Sequence, residues 1–250
     1  MSKPKVGIFN FTGCSGCQLE ILNLEDILLD IVGAVDIVNF RTAMRNKGPG
    51  PYDVSFVEGS ISSTEHVEEL KKIREQSGLL VAIGSCACFG GVQTIRDQTL
   101  GLEEAKKKIY GDVKMNFDYL EQKPLSEYVK VDFMLPGCPM VKEEFVETVK
   151  SLLMGKPLRY KPYPVCVECR LRENQCLLEK GYICLGPLTM AGCGAKCPSN
   201  GSPCDACRGP VEESAIAAEA ELLKKRGIEP KELIRKLRTF GANMKAEVKA

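Results

Sequence analysis

Residues 9–20 read FNFTGCSGCQLE, an apolar run that ends in a glycine-rich turn with two cysteines and leads directly into a helix-like pattern. Such a strand-turn-helix junction is typical of open α/β sheets, where the turn usually holds a phosphate or a flavin. Here the turn carries Cys14 and Cys17. Thiolates bind soft metal ions and iron-sulfur clusters, so the junction predicts a site of that kind if other parts of the chain bring further thiolates to it.

Four more short apolar runs continue the pattern, most of them unbroken, as expected for strands buried on both faces. The five predicted strands cover residues 5–11, 35–40, 53–59, 79–84 and 131–135. Helical periodicity predicts helices over residues 18–31, 64–76 and 140–153, the second opened by a capping box of Ser62 and Glu65, and helical pieces between residues 92 and 130. This alternation predicts an α/β fold with a flavodoxin-like, doubly wound parallel sheet.

The composition changes near residue 155, where GKPLRYKPYPV (155–165) is a proline-rich connection of the kind that separates domains. We therefore predict a flavodoxin-like domain over residues 1–157 and a small, loop-rich iron-sulfur domain with short helices over residues 158–250. The second domain has eight cysteines between residues 166 and 207 and no sustained apolar periodicity there. Bound metal is expected to replace the missing core. Residues 210–227 and 229–241 predict two short helices, the first opened by Pro210.

The overall composition excludes several classes of protein. With 34 basic and 33 acidic residues the net charge is +1, so no global field favours nucleic acid or an anionic membrane. The sequence has no apolar span long enough to cross a membrane, and its first residues lack the pattern of a signal peptide. We expect a soluble cytoplasmic protein. Its 250 residues include 13 cysteines and one histidine, and in a reducing compartment so many cysteines indicate metal or redox chemistry rather than disulfides.

The cysteines of the first domain follow predicted strands. Cys14 and Cys17 come after the first strand, Cys86 after the fourth and Cys138 after the fifth. The carboxyl ends of parallel strands share one edge of the sheet, where ligands bind, so we predict that these four thiolates surround one centre. Small neighbouring residues would let backbone amides approach the sulfur atoms. The alternative is four buried, apolar cysteines, but their placement at matching junctions argues against it.

Other residues near these junctions are weaker candidates for a functional role. Cys88 shares the turn of Cys86 and is assigned to packing. His66 lies in a polar helix pattern and is interpreted as solvated. Glu20 and Glu58 lie near strand ends and could approach the site, but solvation explains them more simply. No dinucleotide-binding glycine motif or phosphate-loop lysine accompanies a junction. Because no acid-base or nucleophile constellation is recognisable either, we predict no catalytic residue on this chain.

The eight cysteines of the second domain form two quartets by spacing. These are C-x2-C-x6-C-x7-C (Cys166, Cys169, Cys176, Cys184) and C-x3-C-x6-C-x2-C (Cys193, Cys197, Cys204, Cys207). Four thiolates suit either tetrahedral zinc or a four-iron cluster. Zinc ribbons favour C-x2-C pairs about 15–20 residues apart, which neither quartet shows. The spacing therefore favours iron-sulfur clusters and leaves structural zinc as the alternative.

The motifs CSGC (14–17), GSCACFGG (84–91) and PGCP (136–139), in this order on an α/β framework with a cysteine-rich tail behind them, resemble the small subunit of [NiFe] hydrogenases. More narrowly, about residues 5–210 look like the soluble cytoplasmic group from archaea and anaerobic bacteria. The resemblance implies a proximal [4Fe-4S] cluster beside the nickel-iron site of a separate large subunit, bound by Cys14, Cys17, Cys86 and Cys138. It also implies that the second quartet binds a medial cluster and the first quartet a distal cluster.

Two departures from the wider family matter. Respiratory and periplasmic relatives commonly have a histidine in the distal site and one cysteine fewer in the medial site, which leaves a [3Fe-4S] cluster. This chain has Cys166 at the histidine position and a full medial quartet that includes Cys197. The resemblance thus implies three [4Fe-4S] clusters, with the low potentials usual for all-cysteine ligation. The twin-arginine export signal of those relatives is also missing, in agreement with a cytoplasmic location.

By resemblance, the chain is the electron-transfer subunit of a hydrogenase, which is an oxidoreductase complex. Electrons would pass between the nickel-iron site of the large subunit and a further iron-sulfur or flavin acceptor subunit. A second interpretation is the cluster subunit of a complex I-like or other redox complex, although that subunit typically has adjacent cysteines in its first motif and no eight-cysteine tail. A zinc-stabilised adaptor without a redox role is the third.

Overall fold

The computed structural model describes residues 3–45, 47–95, 100–113, 118–211 and 216–241. They form two compact units, divided after Leu158. The strands of the first unit are β1 (Lys5–Asn10), β2 (Asp36–Phe40), β3 (Tyr52–Glu58), β4 (Ser77–Ile83) and β5 (Phe133–Leu135). Its α-helices are α1 (Gly16–Leu22), α2 (Asp26–Ala34), α3 (Thr64–Glu75), α4 (Gly84–Phe89), α5 (Leu102–Tyr110) and α6 (Lys142–Leu153). Short 3-10 turns cover Val92–Thr94 and Leu125–Glu127.

The five strands form one parallel sheet in the order β2-β1-β3-β4-β5. This is the flavodoxin-like order of a doubly wound sheet, so the predicted fold class is confirmed. The register also aligns the carboxyl ends of four strands. Asn10 lies opposite Glu58, Glu58 opposite Ile83, and Ile83 opposite Leu135. The loops that follow β1, β3, β4 and β5 therefore leave the sheet from one row.

The sheet is buried on both faces, which explains the largely apolar sequences of its central strands. On one face Ile8, Phe56 and Ile83 pack with helices α1, α2 and α6, and the rings of Phe56 and Phe145 lie 4.9 Å apart between centroids. On the other face Val57 and Leu80 belong to a separate apolar cluster with side chains of α3 and α4. Successive residues of a strand point to opposite faces, so each strand contributes to both cores.

The predicted helix over residues 18–31 is wrong, because two helices take its place. Helix α1 ends at Leu22 and α2 begins at Asp26. Between them Leu24 is buried, and Glu25 has a φ of 52°. A positive φ cannot belong to a right-handed helix, so the chain turns there and keeps the leucine in the core.

Two details at other helix starts also differ from the prediction. The N-cap of α3 is Ser63, whose hydroxyl accepts a hydrogen bond from the backbone N–H of His66, and Ser62 instead bonds the Thr12 hydroxyl. The prediction of a capping box formed by Ser62 and Glu65 is therefore wrong. Helix α6 begins at Lys142 rather than at residue 140, because the chain before it forms a tight turn. The prediction of helical pieces between residues 92 and 130 holds for the described part, while residues 96–99 and 114–117 lie outside it.

The second unit contains α7 (Val165–Leu171), a 3-10 turn (Gly186–Leu188), α8 (Lys196–Ser199), α9 (Ile216–Lys225) and α10 (Pro230–Leu237). The expectation that this unit lacks a hydrophobic core is wrong, because a hydrophobic cluster is present. Leu185 and Leu188 from the cysteine-rich segment pack with Leu223, Leu233 and Leu237 from α9 and α10. Pro210 does not open a helix; it pairs with Thr189 in an isolated bridge. Among the described helices, none is long and apolar enough to cross a membrane.

Candidate iron-sulfur sites

The loops after β1, β4 and β5 meet around Cys17. A Cβ atom added at Gly84 would lie only 2.4 Å from the Cys17 Sγ atom and 3.6 Å from the carbonyl oxygen of Gly137. The backbone N–H of Met140 donates to the same Sγ atom at 3.4 Å. Gly84 has a φ of 79°, a conformation that favours glycine. The sequence thus needs glycine at this position because both the space and the backbone conformation exclude a side chain.

Cys86 lies between the turn after β1 and the segment after α4. Its Sγ atom would lie 4.0 Å from a Cβ atom at Gly13 and 2.6 Å from one at Gly91. The Cys86 thiol donates to the side-chain oxygen of Gln93 at 3.6 Å. Gln93 is anchored in turn, since its amide nitrogen donates to the backbone oxygen of Thr12 at 3.1 Å. The glutamine therefore ties the turn after β1 to the segment after α4.

The remaining two strand-end cysteines form the open side of this cluster. Cys14 and Cys138 are exposed, whereas Cys17 is buried. A Cβ atom at Gly16 would lie 3.2 Å from the Cys14 Sγ atom and 4.0 Å from the Cβ atom of Pro139, so the Cys14 turn lies next to the loop that carries Cys138. The structure brings the four predicted cysteines to the same edge of the sheet.

The electrostatics of this edge disfavour isolated thiolates. Burial raises the pKa of Cys86 to about 11, and the charges of Cys138 and Cys14 add to this effect against the hydrogen bond to Gln93. Burial likewise raises the pKa of Cys17, with a further increase from Glu58. The pKa of Cys138 is raised by burial and then by the charge of Cys14. Thiolates that repel one another need a cationic centre between them to be ionised together, and the iron atoms of a cluster fit that requirement.

The interpretation of Glu58 as a solvated residue near this edge is wrong. Glu58 is 3% exposed rather than solvated. Its two carboxylate oxygens accept hydrogen bonds from the backbone N–H groups of Cys17 and Gln18, each at 3.1 Å. Ser15, the N-cap residue of α1, makes no side-chain cap, so Glu58 satisfies the helix start from the end of β3. Burial raises the pKa of Glu58, although these hydrogen bonds act in the opposite direction.

Two other predictions near this edge have different outcomes. Cys88 is buried in the cluster on the far face of the sheet, and its thiol donates to the carbonyl oxygen of Ala82 at 3.6 Å, as the packing assignment predicts. The interpretation of His66 as solvated is wrong. Its ring lies 5.2 Å from the Phe11 ring between centroids, and its Nδ1 atom is 3.3 Å from the Ser62 hydroxyl. Glu20 is half-buried.

In the second unit, the first quartet lines one cavity of about 280 Å³, with all four of its cysteines in the wall: Cys166, Cys169, Cys176 and Cys184. A Cβ atom at Gly186 would lie 3.2 Å from the Cys166 Sγ atom and 3.6 Å from that of Cys184. The side-chain amide of Asn174 donates to the Cys169 Sγ atom at 3.6 Å. Leu177 and Leu178 complete an apolar wall. A thiol-lined cavity with an apolar wall fits a cluster, whose potential depends on such surroundings.

Cys204 of the second quartet lies against Cys184 of the first. Burial raises the pKa of Cys197, followed by the charges of Cys193, Asp205 and Cys184. Burial raises the pKa of Cys204 to about 12, with smaller increases from Cys184 and Cys207. The backbone N–H of Cys204 donates to the Cys184 Sγ atom at 3.3 Å. The two quartets are therefore neighbours within this unit.

Among the described residues, no three histidine, cysteine, aspartate or glutamate side chains converge so closely that they could share one metal ion. The 13 cysteines are also free of disulfides.

A family model described as "NADH ubiquinone oxidoreductase, 20 Kd subunit" matches residues 14–152. The chain is 41% identical over 237 residues to sulfhydrogenase 2 subunit delta of Pyrococcus furiosus, and the match covers 94% of this chain and 98% of the relative. It is 36% identical over 241 residues to a subunit of the F420-non-reducing hydrogenase vhu of Methanocaldococcus jannaschii, covering 84% of this chain and 83% of that relative.

Solved structures agree with these relatives. An NAD+-reducing [NiFe]-hydrogenase in the H2-reduced state contains a chain with 26% identity and a TM-score of 0.57, covering 63% of this chain and 95% of that one. The actinobacterial-type NiFe-hydrogenase of Ralstonia eutropha H16 shares the fold, with a TM-score of 0.61 at 17% identity and coverage of 95% and 89%. The chain therefore belongs to the family of the 20 Kd subunit of NADH ubiquinone oxidoreductase and, within it, to the hydrogenase subunits.

Proposed function

We propose that the chain is the electron-transfer subunit of a [NiFe] hydrogenase complex, located in the cytoplasm. It relays electrons between the nickel-iron site of a large subunit and an iron-sulfur or flavin acceptor subunit. The observation that carries this proposal is the grouping of cysteines: one quartet at the carboxyl edge of the sheet and another around one cavity. Free cysteines in such number also fit a reducing compartment.

The proposal assigns twelve cysteines to three clusters. The flavodoxin-like unit would hold the proximal cluster, and the loop-rich unit the medial and distal clusters. The proximal ligands are Cys14, Cys17, Cys86 and Cys138; the distal ligands are Cys166, Cys169, Cys176 and Cys184; the medial ligands are Cys193, Cys197, Cys204 and Cys207. When bound, [4Fe-4S] clusters supply one-electron redox centres.

The chain's own groups position, shield and orient these ligands. Glu58 fixes the start of α1 and with it Cys17, and Gly84 leaves space for the Cys17 sulfur. The N–H of Met140 and the side chain of Asn174 donate hydrogen bonds to sulfur, which stabilises the ionised thiolate. Because Cys14 and Cys138 are exposed while Cys17 is buried, the proximal site opens outward through those two residues. A large subunit would approach from that side.

Iron and acid-labile sulfide analysis of the full chain, purified without oxygen, tests the proposal. Three four-iron clusters require about twelve iron atoms per chain and as much sulfide. Stoichiometric zinc with little sulfide would instead support the zinc-stabilised adaptor and end the proposal. The visible spectrum gives the same distinction, since cluster proteins absorb and bleach on reduction whereas zinc thiolates are colourless.

A complex I-like subunit is the second candidate, because the description of the matching family model names NADH ubiquinone oxidoreductase. That model ends at residue 152 and does not extend to the eight cysteines of the second unit. The sulfhydrogenase relative, by contrast, matches 94% of the chain. Hydrogen uptake by the intact complex distinguishes the two: activity with hydrogen supports the hydrogenase, and quinone reduction without it supports the alternative.

A further inference from the structure

A buried carboxylate connects the two quartets of the second unit. Glu168 lies on α7 between Cys166 and Cys169 and is only 8% exposed. Its Oε1 atom accepts a hydrogen bond from the backbone N–H of Gly192 at 3.0 Å, and its Oε2 atom accepts one from Gly194 at 2.8 Å. The two glycines flank Cys193, the first cysteine of the other quartet. The Glu168 side chain thus accepts hydrogen bonds from the backbone on both sides of the proposed ligand Cys193.

The loop that carries Cys193 depends on support from outside. Gly192 and Gly194 have φ angles of 127° and 62°, and Ala195 follows with 50°. Three residues with positive φ among the four residues 192–195 exclude a regular helix or strand here, and the left-handed alanine adds strain. Arg172 closes the other side, since a Cβ atom at Gly194 would lie 2.9 Å from its Nη2 atom.

The buried charge of Glu168 is compensated locally. The Lys161 ammonium lies 3.3 Å from its Oε1 atom. Burial alone would raise the pKa of Glu168, but the hydrogen bonds from Gly192, Lys161 and Gly194 outweigh it and hold the pKa below its usual value. Hydrogen bonds from amides to a carboxylate are stronger than those between neutral groups. A side chain this well satisfied holds its partners in one geometry.

We propose that Glu168 is a positioning residue that holds Cys193 in its ligating place, so that the helix of the first quartet governs assembly of the second. This proposal rests on the proposed function only in taking the group bound by Cys193 to be an iron-sulfur cluster. Glutamine at this position has the same shape but only one acceptor, and its amide group would face an N–H donor. One of the two glycine N–H groups would lose its partner and become free to turn toward the Cys193 sulfur.

The test compares three versions of the full chain: wild type, E168Q, and the control E221Q, which neutralises an exposed glutamate of α9. In the cluster-free chain, alkylation of each cysteine by iodoacetamide is followed by peptide mass spectrometry. We expect Cys193 of E168Q to react about tenfold faster, as loss of one charged hydrogen bond predicts, with Cys17 unchanged. After anaerobic reconstitution we expect E168Q to lose about four of twelve iron atoms if the second quartet no longer binds a cluster. If the cluster still forms, we expect its reduction potential to be raised, because net charge and hydrogen bonds to sulfur set the potential of a cluster.

Equal labelling of Cys193 in E168Q and E221Q, together with wild-type iron content and potentials, overturns the proposal. Uniformly faster labelling of all cysteines also overturns it, because that indicates general loosening. If E168Q yields no soluble chain, E168D decides by the same criteria, since its shorter carboxylate cannot reach both glycines. A wild-type chain that binds no four-iron clusters would refute the proposed function. The labelling comparison would still test whether Glu168 positions Cys193.

Discussion

Addition of a single methyl group at Gly84 tests the strand-end site most directly. Gly84 follows β4 and has a φ of 79°. In the variant G84A the new Cβ atom would lie 2.4 Å from the Cys17 Sγ atom, well inside van der Waals contact. Alanine must therefore adopt a left-handed conformation and also displace a buried thiol, so the two costs add.

The magnitude follows from these two effects. A left-handed alanine costs about 1–2 kcal/mol, and an extra methyl group in a packed interior costs about 1–3 kcal/mol. We expect G84A to lower the free energy of unfolding by about 2–5 kcal/mol. The control G33A adds the same methyl group on α2, where nothing lies within 4 Å of the new atom. It should stabilise the chain by about 0.5–1 kcal/mol, because alanine is the better helix former.

Urea denaturation of the cluster-free full chain, followed by circular dichroism, measures both effects. Iron analysis after reconstitution measures the second consequence: G84A should lose about four iron atoms, since Cys17 is moved, while G33A should retain all of them. If G84A unfolds at the same urea concentration as G33A and binds as much iron, then Cys17 does not lie where the structure places it, and the reasoning about this edge fails.

The remaining predictions concern ligand assignment and acid stability. C86A should lose about four iron atoms, whereas C88A should retain the wild-type content, because Cys88 is buried in the core beyond the sheet; equal iron loss in both variants would contradict the assignment. Asp132 accepts hydrogen bonds from the backbone N–H of Leu80 at 2.8 Å and from Arg74, and these outweigh burial and lower its pKa. The ionised Asp132 contributes stability above the pKa of the unfolded chain, so D132N should be less stable than wild type by about 1.5–3 kcal/mol at pH 7. This contribution is lost as the pH falls through the lower pKa of the folded protein, so the difference between D132N and wild type should shrink progressively as the pH falls below the ordinary aspartate pKa of about 3.9. Urea titrations over this pH range check this, and a constant difference would refute it.

The sheet could be predicted because its strands are buried on both faces. The stretches around Ile8, Phe56 and Ile83 are largely apolar, and right-handed crossovers between parallel strands restrict the possible strand orders. The positions of Cys14, Cys86 and Cys138 after strand ends then follow from topology alone. What decides this part of the fold is local in sequence, so periodicity is enough to find it.

Glu58 and Glu168 could not be predicted because their roles depend on distant backbone groups. Each carboxylate bonds the N–H groups of two residues, 40–41 positions away for Glu58 and 24–26 for Glu168. A glutamate at a strand end or on a helix is most often solvated, and spacing carries no signal for the exception. The break at Glu25 escaped prediction for a similar reason, since the burial of Leu24 is set by tertiary packing.

The two units therefore hold cysteines in place by different means. In the first unit the register of the sheet fixes where the loops start, and Glu58 refines the start of one helix. In the second unit Cys166, Cys169 and Cys197 lie on the short helices α7 and α8, and the other cysteines lie on loops. These loops contain left-handed residues, including Ala195 and Ala206, and no sheet defines their ends in the described part of that unit. Their geometry must come from side chains such as Glu168 and from the leucines of α9 and α10. Because helices α9 and α10, which follow the cysteines in sequence, supply part of the hydrophobic core, the cysteine-rich segment can fold without apolar periodicity of its own.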